Sequence, residues 1–253
     1  MGYLDLSKQE LEKEYGNLVK RFEEIKGMGL NLNMARGKPS KEQLDLSLPM
    51  LDTINSKSDF IGEDKMDCRN YGLLNGITEC RKLFADILGV DAENVIVGGS
   101  SSLNMMFDTI SCFMTAPAVE GCKPWYEVKN RKFLCPVPGY DRHFGITQYY
   151  GFELIPIPMD DNGPDMDMVE RLVSEDDSIK GIWCVPKYSN PAGITYSDEV
   201  VKRFAALKPA AKDFRIMWDN AYCIHEISDT PDVLLNIMDE CKKTGNEDLP
   251  ILF

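Results

Sequence analysis

Lys180-Gly181-Ile182-Trp183-Cys184-Val185 runs into Pro186-Lys187-Tyr188-Ser189-Asn190-Pro191-Ala192-Gly193, and Phe214-Arg215-Ile216-Met217-Trp218 runs into Asp219-Asn220-Ala221-Tyr222. Each is a short apolar run halted by polar, Pro or Gly residues, which reads as a buried strand followed by a loop. Between them Ser197 stands as a helix N-cap, and Asp198 and Glu199 favour the positive first turn of a helix continuing to Leu207. Strand, loop, helix, strand is the unit of a parallel sheet, and such sheets receive ligands at the carboxyl ends of their strands. Asn190 and Asp219 stand at two such ends.

The same alternation continues toward the N-terminus. Arg131 to Cys135 reads as a strand ending in Pro136-Val137-Pro138-Gly139-Tyr140, and Phe152 to Ile157 as another, followed by a helix from Met166 to Val173. Asn94 to Val97 reads as a short strand ending in Gly98-Gly99-Ser100-Ser101-Ser102, with a helix from about Leu103 to Met114. Tyr71-Gly72 opens a turn before a helix from Ile77 to Leu88, closed at Gly89. At the start, Ser7-x-x-Glu10 forms a capping box, Leu11, Tyr15, Leu18, Phe22 and Ile25 repeat at helical spacing, and Gly27 and Gly29 stop the helix. Asn33 to Pro39 is a loop, and so is the polar stretch from Cys241 to Asp248. Leu249 to Phe253 reads as the beginning of a further buried strand, so the chain is expected to be a fragment.

Composition excludes several classes of function. A chain of 253 residues with 43% hydrophobic and 27% charged residues closes its own core without disulfides or metal. No run approaches the roughly 18–20 apolar residues of a membrane span, and the first residues carry no signal-peptide pattern. Twenty-eight basic against 41 acidic residues give a net charge of −13, which repels a nucleic-acid backbone while leaving room for a local cradle for one small anion. The eight cysteines contain no CxxC pair and there are two histidines, so no zinc spacing exists and no metal is expected. These thiols are expected to be reduced, in the cytoplasm.

Four strand ends carry the chemistry. Gly98-Gly99-Ser100-Ser101-Ser102 places glycines and hydroxyls at a helix start, where free N–H groups and the helix dipole suit a phosphate. It lacks the Gly-Lys-Ser/Thr ending of a P-loop and also reads as an ordinary Gly/Ser turn. Asp219, at the end of a buried run, needs a cationic or hydrogen-bonding partner; a ligand cation would serve, and an N-cap role is the other reading. Asn190 in Asn-Pro-x-Gly presents a side-chain donor or simply a rigid turn. Tyr140 offers a ring face for stacking on a flat heterocycle or packs as a core residue, and the same choice holds for Tyr222.

Taken in order, phosphate cradle, aromatic shelf, Asn-Pro-x-Gly and Asp-x-x-Tyr resemble the fold-type I pyridoxal-phosphate (PLP) enzymes, in particular class I aminotransferases. Ala35-Arg36-Gly37-Lys38-Pro39 and Pro138-Gly139-Tyr140-Asp141-Arg142-His143 are similar to a divergent group that includes some bacterial aspartate aminotransferases and is related by name to the MocR regulators. The resemblance implies an α/β large domain with a mostly parallel sheet over residues 61–253, incomplete at its end. Residues 1–60 would supply a helix and a substrate-side loop belonging to the small domain. It implies PLP as cofactor, with Gly99, Ser100 and Ser101 on the phosphate, Tyr140 stacked on the ring, Asn190 and Tyr222 on its 3-oxygen, and Asp219 on its nitrogen. Asp219 and Tyr222 would be the catalytic pair. Tyr71 would reach the phosphate of a neighbouring subunit, which implies a homodimer, and Gly37 and Arg36 would line the substrate side; Arg36 and Arg142 each read either as an accessory carboxylate contact or as a surface salt bridge. The implied reaction is transamination between an amino acid, aspartate or another acidic one, and a 2-oxo acid.

One family element is absent. The Schiff-base lysine lies in a Ser-x-x-Lys-like stretch beyond the next strand, and this chain stops at Phe253 before it; Lys242 and Lys243 lie ahead of that strand and do not replace it. Transamination by this piece alone is therefore not expected. Two rival readings share its motifs: a PLP-binding regulatory module of MocR type, and another fold-type I chemistry such as a β-lyase or decarboxylase.

Overall fold

The computed structural model of the chain describes residues 2–32 and 37–253, in two units, Met1–Asp59 and Phe60–Phe253. The first unit contains α1 (Lys8–Gly27) and α2 (Lys41–Asp45). Helix α1 begins at the expected box: Ser7 Oγ accepts from Glu10 N–H, and Glu10 Oε2 accepts from Ser7 N–H at 2.8 Å. Its apolar residues Leu11, Tyr15, Leu18, Phe22 and Ile25 are all exposed.

The second unit holds α3 (Thr78–Leu88), α4 (Ser102–Thr115), β1 (Lys132–Val137), α5 (Asp141–Tyr149), β2 (Glu153–Asp160), β3 (Gly163–Pro164), α6 (Met166–Glu175), β4 (Ile179–Cys184), α7 (Asp198–Ala205), β5 (Arg215–Trp218), α8 (Ile237–Thr244) and β6 (Pro250–Leu252). One sheet runs in the order β3-β2-β1-β4-β5-β6, with every pair parallel except the short β2–β3 ladder. It is the mostly parallel α/β sheet that the sequence predicts.

Helices cover both faces, so the central strands are apolar at nearly every position. Phe133, Cys135, Trp183 and Met217 pack with Met106 and Ile110 of α4, Ile146 of α5 and Trp125. Their neighbours Leu134, Ile182, Cys184, Ile216 and Trp218 point the other way, onto Val169 of α6, Phe204 of α7 and Cys241 of α8. At the middle of β4 only glycine fits: a Cβ on Gly181 would lie 2.5 Å from the Phe133 ring and 2.7 Å from the Arg215 carbonyl. Pro156 and Pro158 are tolerated in β2 because β3 pairs only with Met159 and Asp160, so no ladder donor is lost on that side.

Two expectations are corrected. Residues 94–97 do not join the sheet: Ala92–Asn94 forms a 3-10 turn, and the extended stretch after it is tied by Val97 N–H to the Asn75 carbonyl and by the Arg81 side chain to the Val95 carbonyl. An extended segment becomes a strand only when a neighbour supplies a ladder. The stretch read as a loop from Cys241 to Asp248 is helix in its first half, 241–244 being the last turn of α8, and a loop in its second. Asn236 caps α8 by accepting from Met238 and Asp239 N–H, Ile237 and Cys241 face the core, and Gly245 ends it in the left-handed region at φ 74°. Lys242 and Lys243 lie in its last turn, paired with Asp239 and Glu240.

Burial sorts the eight thiols. Burial alone pushes the Cys135 thiol up to about 12, and burial together with Glu247 and Glu240 does the same for Cys241; Cys184 is driven upward by burial as well. All three stay protonated at neutral pH and present no nucleophile. Titration of the native protein with a thiol-disulfide reagent at pH 8 should modify the exposed Cys68 and Cys112 and leave Cys135, Cys184 and Cys241 intact until denaturant is added.

Candidate coenzyme site

The carboxyl ends of β1, β4 and β5 open onto a cleft of about 360 Å3 lined by Ser100, Ser101, Ser102, Leu103, Tyr140, Val185, Asn190, Asp219, Ala221 and Tyr222. Six residues singled out from the sequence, Ser100, Ser101, Tyr140, Asn190, Asp219 and Tyr222, thus meet in one place. The volume falls in the range of about 300–1,000 Å3 typical of small-molecule sites.

One end of the cleft is the start of α4. Ser101 is its N-cap, with Oγ accepting from Asn104 N–H at 3.4 Å, so the first-turn amides and the positive helix end face the cavity. Gly98 has the closer surroundings of the two glycines, although its neighbour is the flexible end of a methionine that can shift. A Cβ on Gly98 would stand 2.9 Å from Met105 Sδ, whereas Gly99 has open space around it and is exposed beside the cleft. Tyr140 is carried in by a tight turn, where a Cβ on Gly139 would collide with the Pro136 carbonyl and the Phe144 ring.

Asp219, which continues from β5, lines the same cleft and is 5% exposed. Its Oδ2 lies 2.9 Å from His143 Nε2, and its Oδ1 is buried with no hydrogen-bond partner among the described residues. His143, 1% exposed, is stacked on Trp183 at 4.7 Å and met edge-on by Tyr140 at 5.0 Å. An unpaired carboxylate oxygen in such a site costs about 1–3 kcal/mol or more, so it marks where a donor is to be received. A larger groove of about 600 Å3, lined by Asp160, Asp165, Asp167, Glu199 and Arg203 among others, leaves no buried polar atom unpaired.

His143 is the residue that sequence reading missed. Among the described residues the partner of Asp219 is this imidazole on α5, 76 positions earlier in the chain. The available signal was the helical offset of three from Tyr140, which aims both side chains at the same strand ends.

Tyr71 and Arg142 do not line the cleft: Tyr71 is 92% exposed and Arg142 is exposed on α5. Gly37 is exposed in the first unit, and Arg36 lies outside the described residues. No lysine lines the cleft. Among the described residues no three His, Cys, Asp or Glu gather as a metal site, and no helix is long and apolar enough to cross a membrane.

A family model described as aspartate amino-transferase matches residues 6–253. The chain belongs to the aspartate aminotransferase family. A curated aspartate aminotransferase of Corynebacterium glutamicum is 43% identical over 242 residues, covering 96% of this chain and 56% of that protein. The crystal structure of an aspartate transaminase from Corynebacterium glutamicum superposes with a TM-score of 0.85 at 42% identity, covering 98% of this chain and 58% of the other. An archaeal alanine:glyoxylate aminotransferase shares the fold at a TM-score of 0.58 and 21% identity, with 94% of this chain and 55% of that one covered. This member of the aspartate aminotransferase family therefore spans just over half the length of the relatives it matches.

Proposed function

We propose that this chain is the coenzyme-binding part of a PLP-dependent aminotransferase that moves an amino group between an acidic amino acid, aspartate first, and a 2-oxo acid. The observation that carries this reading is the buried, unpaired Oδ1 of Asp219, a residue that lines the same cleft as the serine-bearing start of α4. A ligand with a protonated ring nitrogen at one end and a phosphate at the other satisfies both. Bound there, PLP supplies an electron-withdrawing pyridinium ring that takes up the electron pair left when the substrate's α-proton departs.

The chain's own residues divide that work. Asp219 Oδ1 accepts the ring N–H and keeps the proton there, while His143 Nε2 holds Oδ2 and fixes the carboxylate plane. The amides at Gly99, Ser100 and Ser101 and the hydroxyls of Ser100 and Ser101 hold the phosphate. Tyr140 packs against one ring face and excludes water from it, and Asn190 and Tyr222 donate to the 3-oxygen. In the wider assembly Tyr71 reaches the phosphate of a neighbouring subunit in a cytoplasmic homodimer, and Gly37 and Arg36 border the substrate. Residues 61–253 are the large domain, and residues 1–60 belong with the small one. The names of the curated protein and of the crystal structure from Corynebacterium glutamicum support the substrate class.

Titrating the purified chain with PLP tests the reading. Binding with a Kd of about 0.1–1 mM, no borohydride-trapped adduct at a cleft lysine, and loss of binding in Asp219→Ala are expected. Absence of saturable binding, or a lysine trapped at the cleft, would overturn it.

A further inference from the structure

We infer that Lys187 and Glu226 clamp together the two loops carrying Asn190 and Tyr222, and that this clamp sets how those two side chains meet one oxygen of the ligand. The inference rests on the reading of the cleft given above and deepens it. Lys187 stands three residues before Asn190, and Glu226 four after Tyr222. The Lys187 side chain is only 6% exposed, a position an ammonium keeps only with partners. Its Nζ lies 2.8 Å from Glu226 Oε1 and donates to the Cys223 carbonyl at 3.5 Å, gripping the turn immediately after Tyr222.

Tyr188 completes the clamp. Its hydroxyl donates to Glu226 Oε2 at 3.3 Å and accepts from Asp232 N–H at 3.0 Å, and Lys187 Nζ stands 5.2 Å from its ring centre. Tyr188 adopts φ 47°, the left-handed region that an aromatic residue enters at a cost of order 1–3 kcal/mol. Its N–H is held there by Thr195 Oγ1 at 3.2 Å. The loop thus accepts backbone strain to bring two neighbouring side chains onto one carboxylate of the other loop. Neither Lys187 nor Glu226 lines the cleft, so both are positioning residues. Asn190 is exposed and Tyr222 half-buried, which leaves their placement to the loops.

The test compares PLP with 3-deoxypyridoxal phosphate, the analogue lacking the 3-hydroxyl, by equilibrium titration of the parent chain, Lys187→Met and Glu226→Gln, with the fold of each checked by circular dichroism. Lys187→Met should weaken PLP about tenfold and the analogue less than twofold, and Glu226→Gln should show the same selectivity at about threefold. Equal loss for both ligands, or no loss for either, would reduce the pair to an ordinary structural contact and overturn the inference. If Lys187→Met does not fold, Glu226→Gln decides by the same criterion. A parent chain that binds neither ligand sinks the cleft assignment itself and the clamp with it, a result distinct from a parent that binds and variants that do not discriminate.

Discussion

Asp219→Ala, in a protein that also carries the family's lysine-bearing stretch, is expected to lower kcat/KM for transamination about 1,000-fold, roughly 4 kcal/mol of transition-state stabilisation. The proton on the ring nitrogen has no other carboxylate to hold it, and His143, stacked on Trp183, points at the space that Oδ2 leaves. Stability should move little, with the ligand-free melting temperature staying within about 2 °C of the parent. The variant loses the hydrogen bond to His143, but it also sheds a buried oxygen with no partner. That split between activity and stability is what a site built for an absent donor produces. Steady-state kinetics and a thermal melt of the same preparation check both halves, and activity within tenfold of the parent would refute the role given to Asp219.

Asp213→Ala should destabilise the fold by about 3–5 kcal/mol. Asp213 is buried, with Oδ1 2.7 Å from Lys180 Nζ and Oδ2 accepting from Trp125 Nε1 at 2.9 Å. Removing the carboxylate strands an ammonium beneath the sheet and orphans an indole N–H in the same stroke. Replacing the pair together, Lys180→Met with Asp213→Leu, should recover the part of the loss due to the stranded ammonium, while the Trp125 N–H stays without its acceptor. Urea midpoints of the two single variants and the double variant measure the difference. A loss below about 1 kcal/mol in Asp213→Ala would mean that water reaches Lys180.

Much of this was readable in the amino-acid order, and what was not has identifiable causes. Strands β4 and β5 announced themselves because burial on both faces leaves no polar position in Ile182-Trp183-Cys184 or Ile216-Met217-Trp218. Asp219 stood out for the same reason, as a carboxylate at the end of such a run. Helix α8 was hidden by its surface: only Ile237, Glu240 and Cys241 are buried, and its polar residues outweigh the apolar signal, although the Asn236 cap and Gly245 stop were present. Residues 95–97 carry strand-like side chains, yet strand formation depends on a partner that local composition does not report. His143 shows the limit most plainly. Its helical offset of three from Tyr140 aims it at the strand ends, but which carboxylate its ring nitrogen meets, 76 positions later, is a product of sheet order.

The order β3-β2-β1-β4-β5-β6 also governs when the cleft comes into being. Its walls come from residue 100, residue 140, residue 190 and residues 219–222, segments some 30 to 50 positions apart, and β1 meets β4 only after the intervening β2, β3 and α6 have been set aside. No partly folded form that lacks one of these strands has a cavity to offer. Anything captured there is captured by the finished sheet alone, so its binding energy adds undiluted to the folding equilibrium, and supply of that small molecule during synthesis becomes a means of protecting the chain from proteolysis.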